Sequence, residues 1–412
     1  MILRVFLPFA LGYFLSFLLR VVNAVIAPDL VSELDLDASD LGLMTSTFFI
    51  AFAATQLPLG LLLDRYGPRK VESLLMLFTA AGCLLFFWAE AFPLLLLGRA
   101  MIGFGVSACM MAAFKAYVSW VPKERLPLIN GCHLAAGGLG AIAGTAPVEF
   151  LAGEIGWRGI FLVFAGLSVV ISFLIYFVIP RRGEIPPLLS VGQQFREYGQ
   201  IFRSHYFWRI APFTIMSQAA FFALQALWSG PWLRDVAGLE RNLVASTLGF
   251  IAIAVFSGFL VGGFITDWLR RHHISPITVG CIGMKLCLLP QALLLVADDF
   301  SYVQLLAVWM SFALFGTGGY LVYPGLSQHF PADLAGRVNT GLNSMVFTMA
   351  FAAQWLVGEI IELWPLQENG GYAVEGYRAG IILLLCAQIL AVVWYYLQPL
   401  ILNKKRSSIE TG

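Results

Sequence analysis

The stretch Gly60-Leu61-Leu62-Leu63-Asp64-Arg65-Tyr66-Gly67-Pro68-Arg69-Lys70 separates two apolar runs, each long enough to cross a bilayer. Gly60 lets a helix end come close to a neighbour, and Gly67-Pro68 demands a tight turn that no continuous helix can make. Asp64 then lies among basic residues at a membrane surface. It can accept hydrogen bonds from the free N–H groups of a nearby helix start, or pair with Arg65, Arg69 or an arginine elsewhere. Links of that kind hold one conformation and release another.

Around this turn the whole chain is apolar. Of 412 residues 59% are hydrophobic and only 12% are charged, and the mean hydropathy is +0.82, which excludes an ordinary soluble protein. At about 20 residues per crossing, the sequence divides into about twelve spans, near 4–27, 41–62, 71–91, 94–119, 127–152, 157–180, 210–233, 243–266, 275–297, 302–324, 335–362 and 378–402. The net charge is +1, but its distribution alternates from loop to loop. Arg4, Arg65, Arg69, Lys70, Lys123, Arg125, Arg181, Arg182, Arg196, Arg203, Arg209, Arg270, Arg271, Arg337, Lys404, Lys405 and Arg406 fall on one side. Asp29, Glu33, Asp35, Asp37, Asp40, Asp298 and Asp299 collect on the other, where Arg158, Arg234, Arg241 and Arg378 are the few basic residues. The bias places both termini in the cytoplasm, which an even number of crossings requires. Arg4 before an apolar run resembles a secretory signal, yet the run is too long and has no small-residue cleavage site, so it reads as the first helix. The six cysteines all fall in or beside apolar spans, as small packing residues without metal or disulfide spacing.

A long polar interruption divides the chain in two. The expected organisation is a six-helix bundle over 1–180, a cytoplasmic linker over 181–209, a second six-helix bundle over 210–402 and a tail over 403–412. The halves echo one another: Gly60 and Asp64 recur at one offset as Gly263 and Asp267, followed by Arg270-Arg271, and Pro122 and Asn130 recur as Pro331 and Asn339. The fold class is therefore an all-α membrane protein, with twelve transmembrane helices in two bundles related by pseudo-twofold symmetry and substrate between them.

The Gly60–Lys70 loop closely resembles the signature G-x-L-x-D-R-x-G-x-R-K between the second and third helices of major facilitator superfamily transporters. That resemblance implies alternating access, with Gly60, Asp64, Arg65, Gly67 and Arg69 in gating and Asp267 as the weaker echo. The run Arg20-Val21-Val22-Asn23 through Pro28 resembles the first helix of the anion:cation symporters and organophosphate antiporters. By position, Arg20 is implied to bind anion in the central cavity. Asn23 comes three residues after Arg20 where those families usually have two. In the seventh span the matching region, Phe221 to Trp228, lacks the second arginine of the organophosphate branch, which argues for a monovalent or weakly anionic substrate. Gly98-Arg99 through Gly103 resembles a fourth-helix motif in which the arginine serves proton coupling or helix packing. Gly140 to Glu149 resembles an exporter motif, but Pro147 comes three residues after Gly144 instead of directly after it.

Ionisable groups within spans are costly, and Arg20, Arg99, Lys115, Glu149, Lys285 and Glu359 carry a positive excess that favours an anion. Arg20 presents the planar fork suited to a carboxylate. Lys115 either snorkels to the surface or faces the cavity. Glu149 either titrates during transport or marks the outer interface, and Lys285 lies in a peripheral span. Gln225, Trp228, Tyr320, Tyr323, Asn339 and Asn343 supply amide, indole and phenol groups able to orient a polar solute.

No nucleotide-binding loop, nucleophile constellation or metal cluster is visible, so neither an enzyme nor an ATP-driven pump is expected. The reading is a secondary transporter of a small organic anion that needs no cofactor beyond a proton or ion gradient. Its partners would be its solute and the lipid bilayer, without nucleic acid; a monomer in a bacterial inner membrane is expected. An exporter of amphiphilic or drug-like compounds is the alternative, and a transport-fold receptor the alternative of another class.

Overall fold

The computed structural model describes residues 2–122, 125–180, 191–331, 334–367 and 370–410. Lys123, Arg181 and Arg182 lie outside the described residues, as do the side chains of Lys404, Lys405 and Arg406. The chain is helical: α1 (Ile2–Leu34), α2 (Ala38–Tyr66), α3 (Pro68–Trp88), α4 (Phe92–Val106), α5 (Cys109–Trp120), α6 (Leu126–Ala143) and α7 (Ala146–Val178) build the first half. After α8 (Val191–Phe202), the second half runs through α9 (His205–Ala223), α10 (Ser229–Asp235), α11 (Arg241–Arg270), α12 (Pro276–Leu293), α13 (Tyr302–Gly316), α14 (Val322–Ser327), α15 (Ala335–Ile361) and α16 (Val374–Glu410).

Eleven helical stretches among the described residues are long and apolar enough to cross a membrane. Gly156 supplies the twelfth, because its φ of 71° breaks α7 where the left-handed region costs a glycine nothing. The part before Gly156 continues α6 as the fifth passage, bent at Gly144-Thr145; the part after it is the sixth. The fourth passage is also bent, at Ser107-Ala108 between α4 and α5, and the seventh passes through a π-helical turn at Leu224–Trp228. Gly67, at φ 78°, closes α2 by donating its N–H to the Leu63 carbonyl at 3.1 Å, and Pro68 opens α3.

α1 packs on α6 and α7, and α3 on α4 and α7, while in the other bundle α9 packs on α16 and α11 on α13. The bundles meet where α2 lies along α15, α6 along α11 and α1 against the π-turn. That seam is not uniform. Toward the face rich in carboxylates it is closed: Gly42 of α2 lies against the Gln354 backbone, Gly358 of α15 against Ala38, and Gly230 of α10 against the Ala24 carbonyl. At the other end of the same helix pair Gly60 has nothing within 4 Å of where a side chain would start. The close approach expected of Gly60 is therefore absent in this state, because α2 and α15 splay apart toward the basic face.

Candidate functional site

Arg20 sits at the centre of the seam and is only 5% exposed. Phe17, one turn earlier on α1, lies 4.6 Å from its guanidinium, and Phe48, Phe52, Phe222 and Phe347 lie at 5.8, 5.6, 5.5 and 5.3 Å. Phe48 and Phe52 share a face of α2 by their spacing of four, while Phe222 and Phe347 come from α9 and α15, so both bundles contribute to the ring. Tyr320 packs edge-on against Phe222, with ring centroids 6.4 Å apart. The Arg20 Nε has no partner, and no carboxylate pairs with Arg20 among the described residues. Arg99 is 1% exposed beside it, giving Nη1 to the Leu19 carbonyl at 2.8 Å and lying 5.1 Å from the Phe48 ring. Two buried cations thus adjoin with no acid paired to either among the described residues. Ring faces return about 2 kcal/mol to a desolvated cation, less than burial takes away, and an incoming anion would supply the rest.

A polar bridge closes this chamber toward the basic face. The Tyr323 hydroxyl donates to Asn343 Oδ1 at 3.2 Å, Asn343 Nδ2 to Gln56 Oε1 at 3.3 Å, and Gln56 Nε2 to the Ser107 carbonyl at 3.3 Å. Beyond it opens a cleft of about 210 Å³ lined by Gly60, Asp64, Lys115, Tyr198, Arg337 and Thr340. Lys115 pairs with Asp64 there, away from Arg20. Across the cleft Arg337 pairs with Glu197 at 2.7 Å and the hydroxyls of Tyr198 and Thr340 lie 2.9 Å apart, which fastens α8 to α15.

The other expected site residues divide by position. Asn339, half-buried, stands one turn before Asn343 and leaves Oδ1 without a partner; Gln225 is buried in the π-turn. Trp228 is fully buried, and its indole N–H donates to the Gln354 carbonyl at 3.0 Å, so it packs the closed part of the seam. Arg69 donates to the Ile179 carbonyl at 3.2 Å and lies 4.9 Å from the Tyr176 ring, tying α3 to α7, whereas Arg65 is exposed over Tyr66. Asp267 pairs within its own helix with Arg270 and Arg271 at the surface. Lys285 donates to the Tyr396 hydroxyl at 2.8 Å on the periphery.

Glu149 belongs to a cross-seam cluster that the sequence does not announce. Arg241, the first residue of α11, takes both Asp29 oxygens at 2.5 and 2.7 Å and also pairs with Glu149. One cation of the second bundle therefore clasps α1 and α7 of the first. Ser39 of α2 donates to Glu359 of α15 on the same face, and burial together with the Asp37 carboxylate raises Glu362 to about 7. The signal for Arg241 was present as a rare basic residue on the acidic side; its partners lie more than ninety positions away.

Two bundles of membrane-crossing helices, a shared central chamber and a seam shut at one end define a solute transporter and not an enzyme. A family model for the Major Facilitator Superfamily matches residues 9–358, and the chain belongs to that superfamily. It is similar to the probable sulfoacetate transporter SauU of Cupriavidus necator, 23% identical over 393 residues, which cover 90% of this chain and 89% of that protein. The probable nitrate/nitrite antiporter NarK1 of Thermus thermophilus is 26% identical over 361 residues, covering 81% and 79% of the two chains. A crystal structure of a bacterial homologue of the human lysosomal transporter Spinster, inward-facing and unoccupied, superposes with a TM-score of 0.76 at 16% identity over 96% of each chain.

Proposed function

We propose that the chain is a secondary transporter of a small organic anion, working by alternating access in a bacterial inner membrane and driven by a proton gradient. The observation that carries this reading is the pair Arg20 and Arg99, buried together at the seam with no carboxylate paired to either among the described residues. The names of SauU and NarK1, both concerned with small anions, agree with it. The basic face is then cytoplasmic, with both termini, and the structure corresponds to the state open to the cytoplasm. Phenylalanines around Arg20 offer an anion one charged anchor and apolar walls, so a solute with one anionic head and a planar or apolar body fits better than a polyhydroxylated acid, whose hydroxyls would go unpaired.

Ligand-induced thermal shift tests the reading. Benzenesulfonate, benzoate, nitrate and sulfoacetate are compared with galactarate and a cationic dye. Stabilisation by anions alone, strongest for the aromatic ones, is expected, followed by uptake in proteoliposomes. The aromatic lining also favours the exporter of amphiphilic compounds, and stabilisation by the dye alone would install that reading instead.

The Arg241 clasp makes a separate prediction. Its pairs are partly exposed, each worth about 1 kcal/mol or less, so Arg241→Ala should shift a two-state ratio about fivefold toward opening at the acidic face. The measurement is modification of a cysteine placed at Val244 by an impermeant maleimide added from that side. An unchanged rate would mean that the close glycine contacts alone hold the seam.

A further inference from the structure

Glu72 lies on the second turn of α3 and is wholly buried. The Cys109 thiol, a weak donor, is the hydrogen-bonding group beside its oxygens, which have no stronger partner, and Glu72 takes part in none of the ion pairs found among the described residues. Gly12 of α1 makes room for it: a side chain at that position would begin 2.7 Å from Glu72 Oε1 and 3.8 Å from Cys109 Sγ. The titratable groups facing it from α5 are Cys109 and Tyr117, neither of them a basic residue. α7 brings Ser172, whose hydroxyl donates to the Ser73 carbonyl at 2.6 Å; Arg99 of α4 is turned to Leu19, and Asp64 of α2 is held by Lys115. An ionised carboxylate with no cation and only a weak thiol donor inside a bundle costs several kcal/mol, so the acid that fits this place is the neutral one, a bound proton.

The carboxyl is also connected to the anion chamber. Tyr13, next after Gly12, stacks on His133 at 4.5 Å, and the Tyr117 hydroxyl lies 3.0 Å from His133 Nδ1. On its other side Tyr13 meets Phe17 at 4.9 Å, and Phe17 lies against Arg20. α1 therefore touches the carboxyl with one turn and holds the anion site two turns later. Beside Cys109 the fourth passage is bent at Ser107-Ala108, where the Ser107 carbonyl is free to take Gln56 of the seam bridge. The seam bridge therefore ends two residues from Cys109, a wall of the Glu72 pocket.

We propose that Glu72 is the proton-binding group of the transport cycle, loaded in the state seen here and released when the bridge and the fourth-passage bend rearrange. The inference rests on the transporter reading above and assigns its coupling ion to a named oxygen pair. No bond other than O–H forms or breaks: one proton binds a carboxylate oxygen and leaves from it.

Two measurements test it. Dicyclohexylcarbodiimide, which reacts with protonated carboxyls in apolar surroundings, is applied to the purified transporter without solute, and labelling at Glu72 is followed by mass spectrometry from pH 5 to 9. Labelling that falls as pH rises is expected; equal labelling throughout would overturn the proposal, since a group that never releases its proton carries none. In proteoliposomes, Glu72→Gln preserves the shape of the neutral acid. Uptake of benzenesulfonate driven by an inward proton gradient should fall about tenfold or more, while exchange at equal pH stays within about twofold of wild type. Wild-type values for both, or equal loss of both, would overturn the proposal and leave Glu72 a packing residue. The labelling arm needs no solute, so rejection of the organic-anion reading leaves it decisive.

Discussion

Arg20→Gln should abolish the stabilisation of the protein by an organic anion while leaving its unliganded melting temperature within a few degrees of wild type. The guanidinium makes no ion pair among the described residues, so removing its charge orphans no carboxylate, and the five surrounding rings close over a neutral amide. Binding loses the buried guanidinium that has no ion pair among the described residues, since Arg99 is already committed to the Leu19 carbonyl. Arg20→Lys separates charge from shape. It keeps the cation but loses the two parallel donors, which should weaken binding by about 1.5–3 kcal/mol, a tenfold loss or more. The check is ligand-induced thermal shift on wild type and both variants with benzenesulfonate. Equal shifts in all three would remove Arg20 from the site, and with it the main support for an anionic solute.

Asp64→Asn should reduce transport about tenfold or more while altering solute binding less than about twofold. In the state seen here the Asp64–Lys115 pair is partly exposed on both sides, with relative exposures of 43% and 32%, and is worth about 1 kcal/mol at most. Fold stability is therefore not where Asp64 acts. It lines the cleft opposite Gly336 and Arg337, at the first turn of α15, and Gly60 leaves the space through which that helix end can approach. When the cleft closes, the carboxylate meets the free N–H groups of the helix start, an interaction that exists only in the closed state and that an amide makes less well. Uptake and thermal shift measured on the same preparation decide the matter. Normal uptake by Asp64→Asn would take the loop out of gating.

The residues readable in advance were those whose role is local or set by the bilayer. Gly67-Pro68 had to turn, Asp64 had to lie at a membrane surface, and Arg20 in the middle of an apolar span had to be either paired or functional. Lys115 shows where such reading stops: its spacing allowed snorkelling or the cavity, and only the approach of α5 to α2 places it on Asp64. Glu72 was passed over for the opposite reason. It stands two residues after Lys70, in what reads as the solvated edge of a loop, and its burial depends on Gly12, sixty positions away.

Hydropathy and loop charge by themselves determined that the chain spans a membrane about twelve times, because the bilayer imposes the length of every span and the enclosure of every backbone hydrogen bond. The polar interruption and the echo between the halves added the two bundles, and motif spacing added the family. Which side chains meet at the seam was decided only in three dimensions. The ring of Phe48, Phe52, Phe222 and Phe347 around Arg20 and the clasp of Arg241 on Asp29 and Glu149 join helices of different bundles. Between membrane helices there is no hydrophobic drive to fix which faces touch. Close packing of small residues and satisfaction of buried polar groups select the partners instead, and both depend on the whole assembly at once.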